Sequence, residues 1–569
     1  MKLMAESESE ESLPADYYLQ QSQHLILVVI AEIALVKTFT GKWNIIKSKL
    51  QLLTEQFTDL SDFPGFLKNT LCTELLKSIL NALNETQDLV KKCADAEFQI
   101  GKLQMQSSLD SLAMKLNQHL QDSELLMKSG VLSETATPVL SRSRTILQRE
   151  AIRSTSRELV ARLQIGNVES RQKALDALLA LMQEDDKNCF IVAGQGSVPI
   201  LVNLLDSCFI DVREKAAACV CRLAQVNSCE QLLVTEGVLA PLVRTLESGS
   251  SLAKEKASAA LQALSLPAEN ARSVGTHCGV LALVDICRSG TPAAQAAAAG
   301  TLRNLASVPE IRQHFVDENA IPVLIRLTTS GTALAQENAV DCLQNLASGD
   351  DNLRTLIANE GGIQPLIFFW DGASTPRAQE IAIGALKNIS VSRANSDLLI
   401  ASGFIPRLLN ALHSKIPRIK QIASLAIYEL AFSMESKKAV GEAGCVPVLV
   451  KMLEAKTSAE QEAAAQALSV LLIFDGNRKI FRKEEKGISG AVQLLDPSNL
   501  NTNKKYPISI LLTLSNSAKC RRQMIAAGAC SYLEKLAEMD VIGAKKLLEC
   551  LQRGHLWNIF GRKDKYKSF

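Results

Sequence analysis

Residues 196–205 read GSVPILVNLL, and the same plan returns as GVLAPLVRTL at 237–246, NAIPVLIRL at 319–327 and GCVPVLVKML at 444–453. Shorter versions, GGIQPLI and GFIPRLL, begin at Gly361 and Gly403. The matched apolar anchors are Leu201, Leu242, Leu283, Leu324, Leu366, Leu408, Leu449, Val492 and Leu533, stepping by 41, 41, 41, 42, 42, 41, 43 and 41 residues. A second marker closes each unit as CRLA, QALS, RNLA, QNLA, KNIS or YELA. Its anchors, Leu223, Leu264, Leu305, Leu346, Ile389, Leu430 and Leu471, step by 41, 41, 41, 43, 41 and 41 residues. Two independent markers on one period define a repeat array.

Each unit can be read physically. Gly, or Asn319, allows the left-handed turn that ends one helix. Proline then starts the next, where a missing N–H costs nothing. A third helix follows, rich in alanine, as in residues 214–224 or 293–306, and alanine lets neighbouring units stack closely. No unit buries its own faces, so the core is continuous and quasi-one-dimensional. About ten units are expected over residues 153–552, with degenerate ends as caps.

Composition agrees. The 569 residues are 47% hydrophobic but only 4% aromatic, which suits packed helices more than sheet sandwiches. That length exceeds one hydrophobic core. A net charge of +2 gives no bulk attraction to nucleic acid, so no nucleic-acid partner is expected. The fourteen cysteines are scattered without a CxxC, and no histidine sits at metal-ligand spacing. They read as reduced, buried small apolar residues, with neither metal nor cofactor expected. No Walker loop, GxSxG or HExxH occurs, and the histidines fall at unrelated positions of the units, so no catalytic residue is assigned.

Residues 18–128 leave the period and show long helical stripes instead: Leu25, Val28, Val29, Ile33 and Val36; Ile45, Leu50, Leu53 and Phe57; Leu71, Leu75, Leu76, Ile79 and Leu83; Leu109, Leu112, Leu116 and Leu120. Breakers stand at Thr40-Gly41, at residues 62–65 and at Gly101. This is the pattern of a helical bundle, through which the chain could also self-associate. An acidic segment, 1–17, precedes it; a Ser/Thr/Arg linker, 129–152, joins it to the array; a basic aromatic tail, 553–569, closes the chain. The acidic start is the opposite of a secretory leader. The apolar run Leu25 to Val36 spans twelve residues, against the roughly twenty a bilayer needs. A cytoplasmic place is expected, with the nucleus or a membrane periphery as alternatives.

The periodic markers resemble the armadillo repeat, a three-helix unit, so the fold class is an all-α armadillo solenoid behind a helical bundle. The order of bundle and array looks like the plant U-box/armadillo proteins, yet residues 129–152 hold no cysteine, no tryptophan and no room for a U-box. The whole is therefore similar to plant armadillo-only proteins. The resemblance implies a noncatalytic scaffold binding an extended partner segment along the third helices. In importin-α relatives a Trp and, one turn later, an Asn repeat there. Here Asn304, Asn345 and Asn388 hold the asparagine position, while Gly300, Asp341 and Gly384 stand where tryptophan would. A clamp on a partner's backbone is one reading of the asparagines; bridging between neighbouring helices is the other.

Charge is uneven. From Lys415 onward there are 25 basic and 15 acidic residues, so that third is net +10. Lys415, Arg418 and Lys420, with Lys519, Arg521 and Arg522, mark a candidate patch for an anionic partner. In the tail, Trp557 and Phe560 beside Arg562 and Lys563 suit either a cap on the last unit or a contact with an anionic membrane surface or a partner. Two alternatives to the scaffold follow: a peripheral membrane tether, and an accessory to a ubiquitin ligase acting in trans.

Overall fold

The computed structural model describes residues 14–63, 66–94, 102–129, 131–132, 144–499 and 501–552. Most of the acidic start, much of the linker, and the tail with Trp557, Phe560, Arg562 and Lys563 lie outside the described residues. The described residues group into two compact units that meet in sequence between Leu264 and Ser265. The cut falls inside the repeat array. In a stack where each repeat touches only its neighbours, any inter-repeat boundary is crossed by few contacts.

The first unit opens with α1 (Ala15–Ile33), α2 (Thr40–Ser61), α3 (Thr70–Ala94) and α4 (Lys102–Lys128). These boundaries follow the breakers at Thr40-Gly41 and Gly101. Helix α1 packs on α3 and α2 on α4, and α3 touches α4. Trp43, Ile46, Leu50, Leu53 and Phe57 of α2 form the centre of the core, each no more than 1% exposed. One stripe is shifted from the sequence reading: Ile45 is half exposed, and Ile46 takes its inward place. Trp43 sets that register, because it points inward one turn earlier. Lys42 pairs with Asp110, and Lys49 donates to Asn117 Oδ1 at 2.6 Å, tying α2 to α4. A further helix, α5 (Arg144–Ile165), begins within the stretch read as linker and packs on α4 and on α6 (Val168–Glu184). Helices Ile210–Ala224 and Ser251–Leu264 continue the stack from α6.

The second unit stacks the third helices Pro292–Ala306, Ala333–Leu346, Pro376–Ile389, Pro417–Leu430, Ser458–Leu471 and Lys505–Leu514, each on the one before. Alanines make this possible: Ala294 and Ala296 to Ala299 are buried, as are Ala463 to Ala465. The left-handed turn appears where expected, with φ of 78° at Gly403, 91° at Gly444 and 50° at Asn319. In one repeat Cys278 adopts it at φ 59°. The glycine has moved one place on, where a Cβ on Gly279 would lie 2.4 Å from the Val274 carbonyl oxygen. The marker proline is the third helical residue rather than the first, as Pro406 is in Phe404–Leu412. The first turn tolerates it there for the same reason, since that N–H has no partner within the helix.

Candidate partner-binding face on the third helices

The C-terminal turn of an α-helix leaves carbonyls without helical partners, and two of the three asparagines serve them. Asn345 Nδ2 donates to the Arg303 carbonyl at 3.1 Å, and Asn388 Nδ2 to the Gln344 carbonyl at 3.0 Å. Asn304 Nδ2 donates to Ser265 Oγ at 3.0 Å, while its Oδ1 accepts from Arg303 Nε and a terminal guanidinium nitrogen at 3.2 and 3.0 Å. In the first unit Arg222, at the same position of its repeat, donates from Nε to the Met182 carbonyl at 3.1 Å. The position thus staples one third helix to its predecessor. Donation through Nδ2 fixes the amide plane and leaves the oxygen as the group able to act outward. Asn345 and Asn388 are half-buried, and their Oδ1 atoms accept no hydrogen bond among the described residues.

The tryptophan positions are filled differently. A Cβ on Gly384 would lie 2.5 Å from Gln344 Oε1, so that side chain occupies the space a larger residue would need. Gln344 Oε1 is itself buried without a hydrogen-bond partner among the described residues. Asp341 lies 3.5 Å from the Arg377 guanidinium. Burial pushes its carboxyl up, and Arg303 and Arg377 hold part of that rise back.

Farther along, carboxylates recur at one place per repeat, as Glu337, Glu380 and Glu462. Arg418 Nε donates to Glu380 Oε1 at 2.7 Å, and Lys420 Nζ lies 3.3 Å from Glu460 Oε1. Glu429 and Glu462 make no ion pair among the described residues. Burial, and then Tyr428, Glu462 and Glu429, push the Tyr506 phenol up. Lys387, half-buried, is lowered by its burial, with Glu429 opposing that shift. Sequence reading passed over the recurring glutamate.

Of the candidate anionic-partner patch, Lys415, Arg418 and Lys420 lie at the start of helix Pro417–Leu430, whereas Lys519, Arg521 and Arg522 lie on helix Ala518–Ala526. Lys415, Lys519 and Arg522 are exposed; Arg521 donates to the Ser515 carbonyl at 2.6 Å.

A second feature lies in the first unit, where the bundle meets α6. Leu75 and Ser78 of α3, His119 and Asp122 of α4, and Asn167 and Arg171 line a cavity of about 350 Å³. Asp122 is 5% exposed and accepts from Gln118 at 2.7 Å. Burial raises its pKa, against the Gln118 bond and Arg171. His119 is lowered by burial and then by Lys115. His119 Nδ1 and Arg171 Nε are buried without hydrogen-bond partners among the described residues. Thiols follow the same physics: burial alone drives Cys287 up to about 12, consistent with its use as an apolar side chain. Among the described residues no cluster of His, Cys, Asp or Glu could hold a metal ion, and no helix is long and apolar enough to cross a membrane.

Comparison with known proteins places two segments. The model of a domain of unknown function, DUF7032, matches residues 20–131, and the armadillo/beta-catenin-like repeat matches residues 309–348. Among solved structures, an engineered protein from the Northeast Structural Genomics Consortium is 26% identical, with a TM-score of 0.64, covering 70% of this chain and 98% of its own. A designed armadillo repeat protein is 22% identical with a TM-score of 0.39, over 41% of this chain and 98% of its own. No curated protein matches the chain.

Proposed function

We infer that this chain, with its DUF7032 match at residues 20–131 and its armadillo/beta-catenin-like match at 309–348, is a noncatalytic adaptor holding an extended segment of a partner protein along its third helices. The observation that carries this reading is the state of Asn345 and Asn388. Each amide is oriented by a bond to the preceding helix and keeps an acceptor oxygen for a partner's backbone N–H. Acceptors repeated once per unit recognise a main chain whatever its side chains, so affinity comes from the backbone and specificity from the residues between. Asn304 belongs to the same row, with Arg303 already on its oxygen.

A displayed library of unstructured peptides, selected on the full chain, tests the reading. Selected peptides should lose about tenfold or more in affinity when Asn345 and Asn388 are both changed to alanine, with helicity by circular dichroism retained. Peptides indifferent to that change, in a folded variant, sink the clamp. The likeness to plant armadillo-only proteins rests on the order of bundle and array, and a role beside a ubiquitin ligase rests on that likeness. Co-purification of a ligase with the intact chain checks it.

A further inference from the structure

In the first unit, the cavity of about 350 Å³ where α3, α4 and α6 meet is lined by two charged side chains that leave each other unpaired. Asp122 is 5% exposed, and Gln118 Nε2 donates to its Oδ1 at 2.7 Å. Arg171 donates from a terminal guanidinium nitrogen to the Gln164 carbonyl at 2.9 Å, and its Nε is buried without a hydrogen-bond partner. The two form no ion pair among the described residues. We propose that this cavity binds a small zwitterion of the α-amino-acid class, with the ligand's ammonium on Asp122 and its carboxylate on Arg171. The site is separate from the third-helix clamp and does not rest on it.

Three observations carry it. The first is the separation of the two charges. A buried charge is unfavourable without a partner of opposite sign, and the strongest partner for a carboxylate is a guanidinium in direct contact. Here the two line one cavity and stay apart. A ligand carrying both charges can pair with each of them, which neither an amine nor a carboxylic acid can do. The second is the state of the neighbouring ionisable groups. Glu74 is already engaged: its Oε2 accepts from Ser170 Oγ at 3.3 Å, and its Oε1 lies 3.5 Å from the Arg162 guanidinium. Burial lowers His119, so its ring is mostly neutral at neutral pH, and Lys115 beside it pairs with Glu85 at 2.8 Å. One acid and one base are left, and a ligand with no net charge matches that balance.

The third is size and lining. Ligand sites run from roughly 300 to 1,000 Å³, and a cavity of about 350 Å³ lies at the lower end of that range, which suits a molecule of amino-acid size. Leu71, Leu75 and Ile165 supply an apolar wall for the ligand's side chain. Asp122 belongs to α4 and Arg171 to α6, so one bound molecule ties the bundle to the helix from which the stack of third helices starts. A ligand that binds only the folded form stabilises that joint by mass action.

Thermal melts of the full chain with each of the standard L-α-amino acids, at about 10 mM, test this. At least one is expected to raise the unfolding midpoint by about 3 °C or more. Calorimetry should then show its deaminated acid and its decarboxylated amine binding about tenfold or more weakly than the intact molecule. Asp122→Asn and Arg171→Gln should each weaken binding by about tenfold or more, with helicity by circular dichroism retained. A panel without any shift overturns the proposal and leaves the cavity to solvent. An acid or an amine that binds as tightly as the amino acid also overturns it, since a single charge would then suffice. So does binding that either folded variant leaves unchanged. Should a variant fail to fold, hydrogen exchange of the native chain decides: the ligand should slow amides of α4 and α6, and slowing confined to other helices overturns the site.

Discussion

The amino-terminal bundle and the repeat array are both all-helical, yet they are held together in opposite ways. The bundle closes on a few large side chains, with Trp43 and Phe57 fully enclosed among leucines and isoleucines from α1, α3 and α4. The array spreads its core over small residues, and polar staples recur from one repeat to the next, such as Asn345 onto Arg303 and Asn477 onto Lys437. A closed core concentrates stability in single residues, whereas an open stack divides it among many equivalent contacts. A substitution should therefore cost most in the bundle.

The strongest test is Trp43→Ala, expected to cost about 3–5 kcal/mol. Urea unfolding of the full chain should show the bundle melting early while the array transition stays in place. A single shifted transition would break the distinction between the regions. Next is Gly441→Ala in the array, where a Cβ would lie 1.8 Å from Asn477 Oδ1. That amide cannot yield easily, because its Nδ2 donates to the Lys437 and Leu471 carbonyls at 2.9 and 3.0 Å. A loss of about 1–3 kcal/mol is expected. Gly384→Ala meets only the end of the Gln344 side chain and should be near neutral, since alanine also favours the helix by about 0.5–1 kcal/mol. Equal losses at the two glycines would show that the staples carry no special weight.

A single staple is a smaller matter. Asn345→Ala should cost about 0.5–1.5 kcal/mol in thermal melts, and a value near the Trp43 loss would deny that the array shares its stability. The smallest effect concerns pH at the joint between bundle and array. Burial lowers His119 from its ordinary 6.5, so the folded state prefers the neutral ring. Its contribution is complete above 6.5 and is lost as the pH falls through the lower folded pKa. Asp122 runs the other way: its raised pKa makes the protonated carboxyl the favoured folded form, so ionisation above 3.8 costs stability. Glu74 and Arg171 line the same cavity, and Lys115 adds to the lowering of His119. His119→Gln should flatten the slope of bundle stability just below 6.5, and an unchanged slope would assign it to other groups.

Much of this was legible in the chain. The repeat markers located third helices that the structure places at Pro292–Ala306, Ala333–Leu346 and Pro376–Ile389, because helix capping and burial periodicity act within one unit. The bundle breaks at Thr40 and Gly101 were legible for the same reason. Ile45 was misplaced because adjacent isoleucines, Ile45 and Ile46, satisfy the stripe nearly equally, and only packing around Trp43 chooses between them.

What the sequence by itself determined is therefore the period, the helix ends and the left-handed turns, including Asn319 at φ 50°. All of these are set by dihedral preference and by apolar spacing over a few turns. Only the tertiary structure decided that Gln344 fills the space over Gly384, that Asn345 and Asn388 spend their donors on the preceding helix, and that His119 meets Arg171 across a cavity. Each of these meetings joins residues tens of positions apart, and the stacking of whole helices, rather than any local pattern, brings such groups within reach.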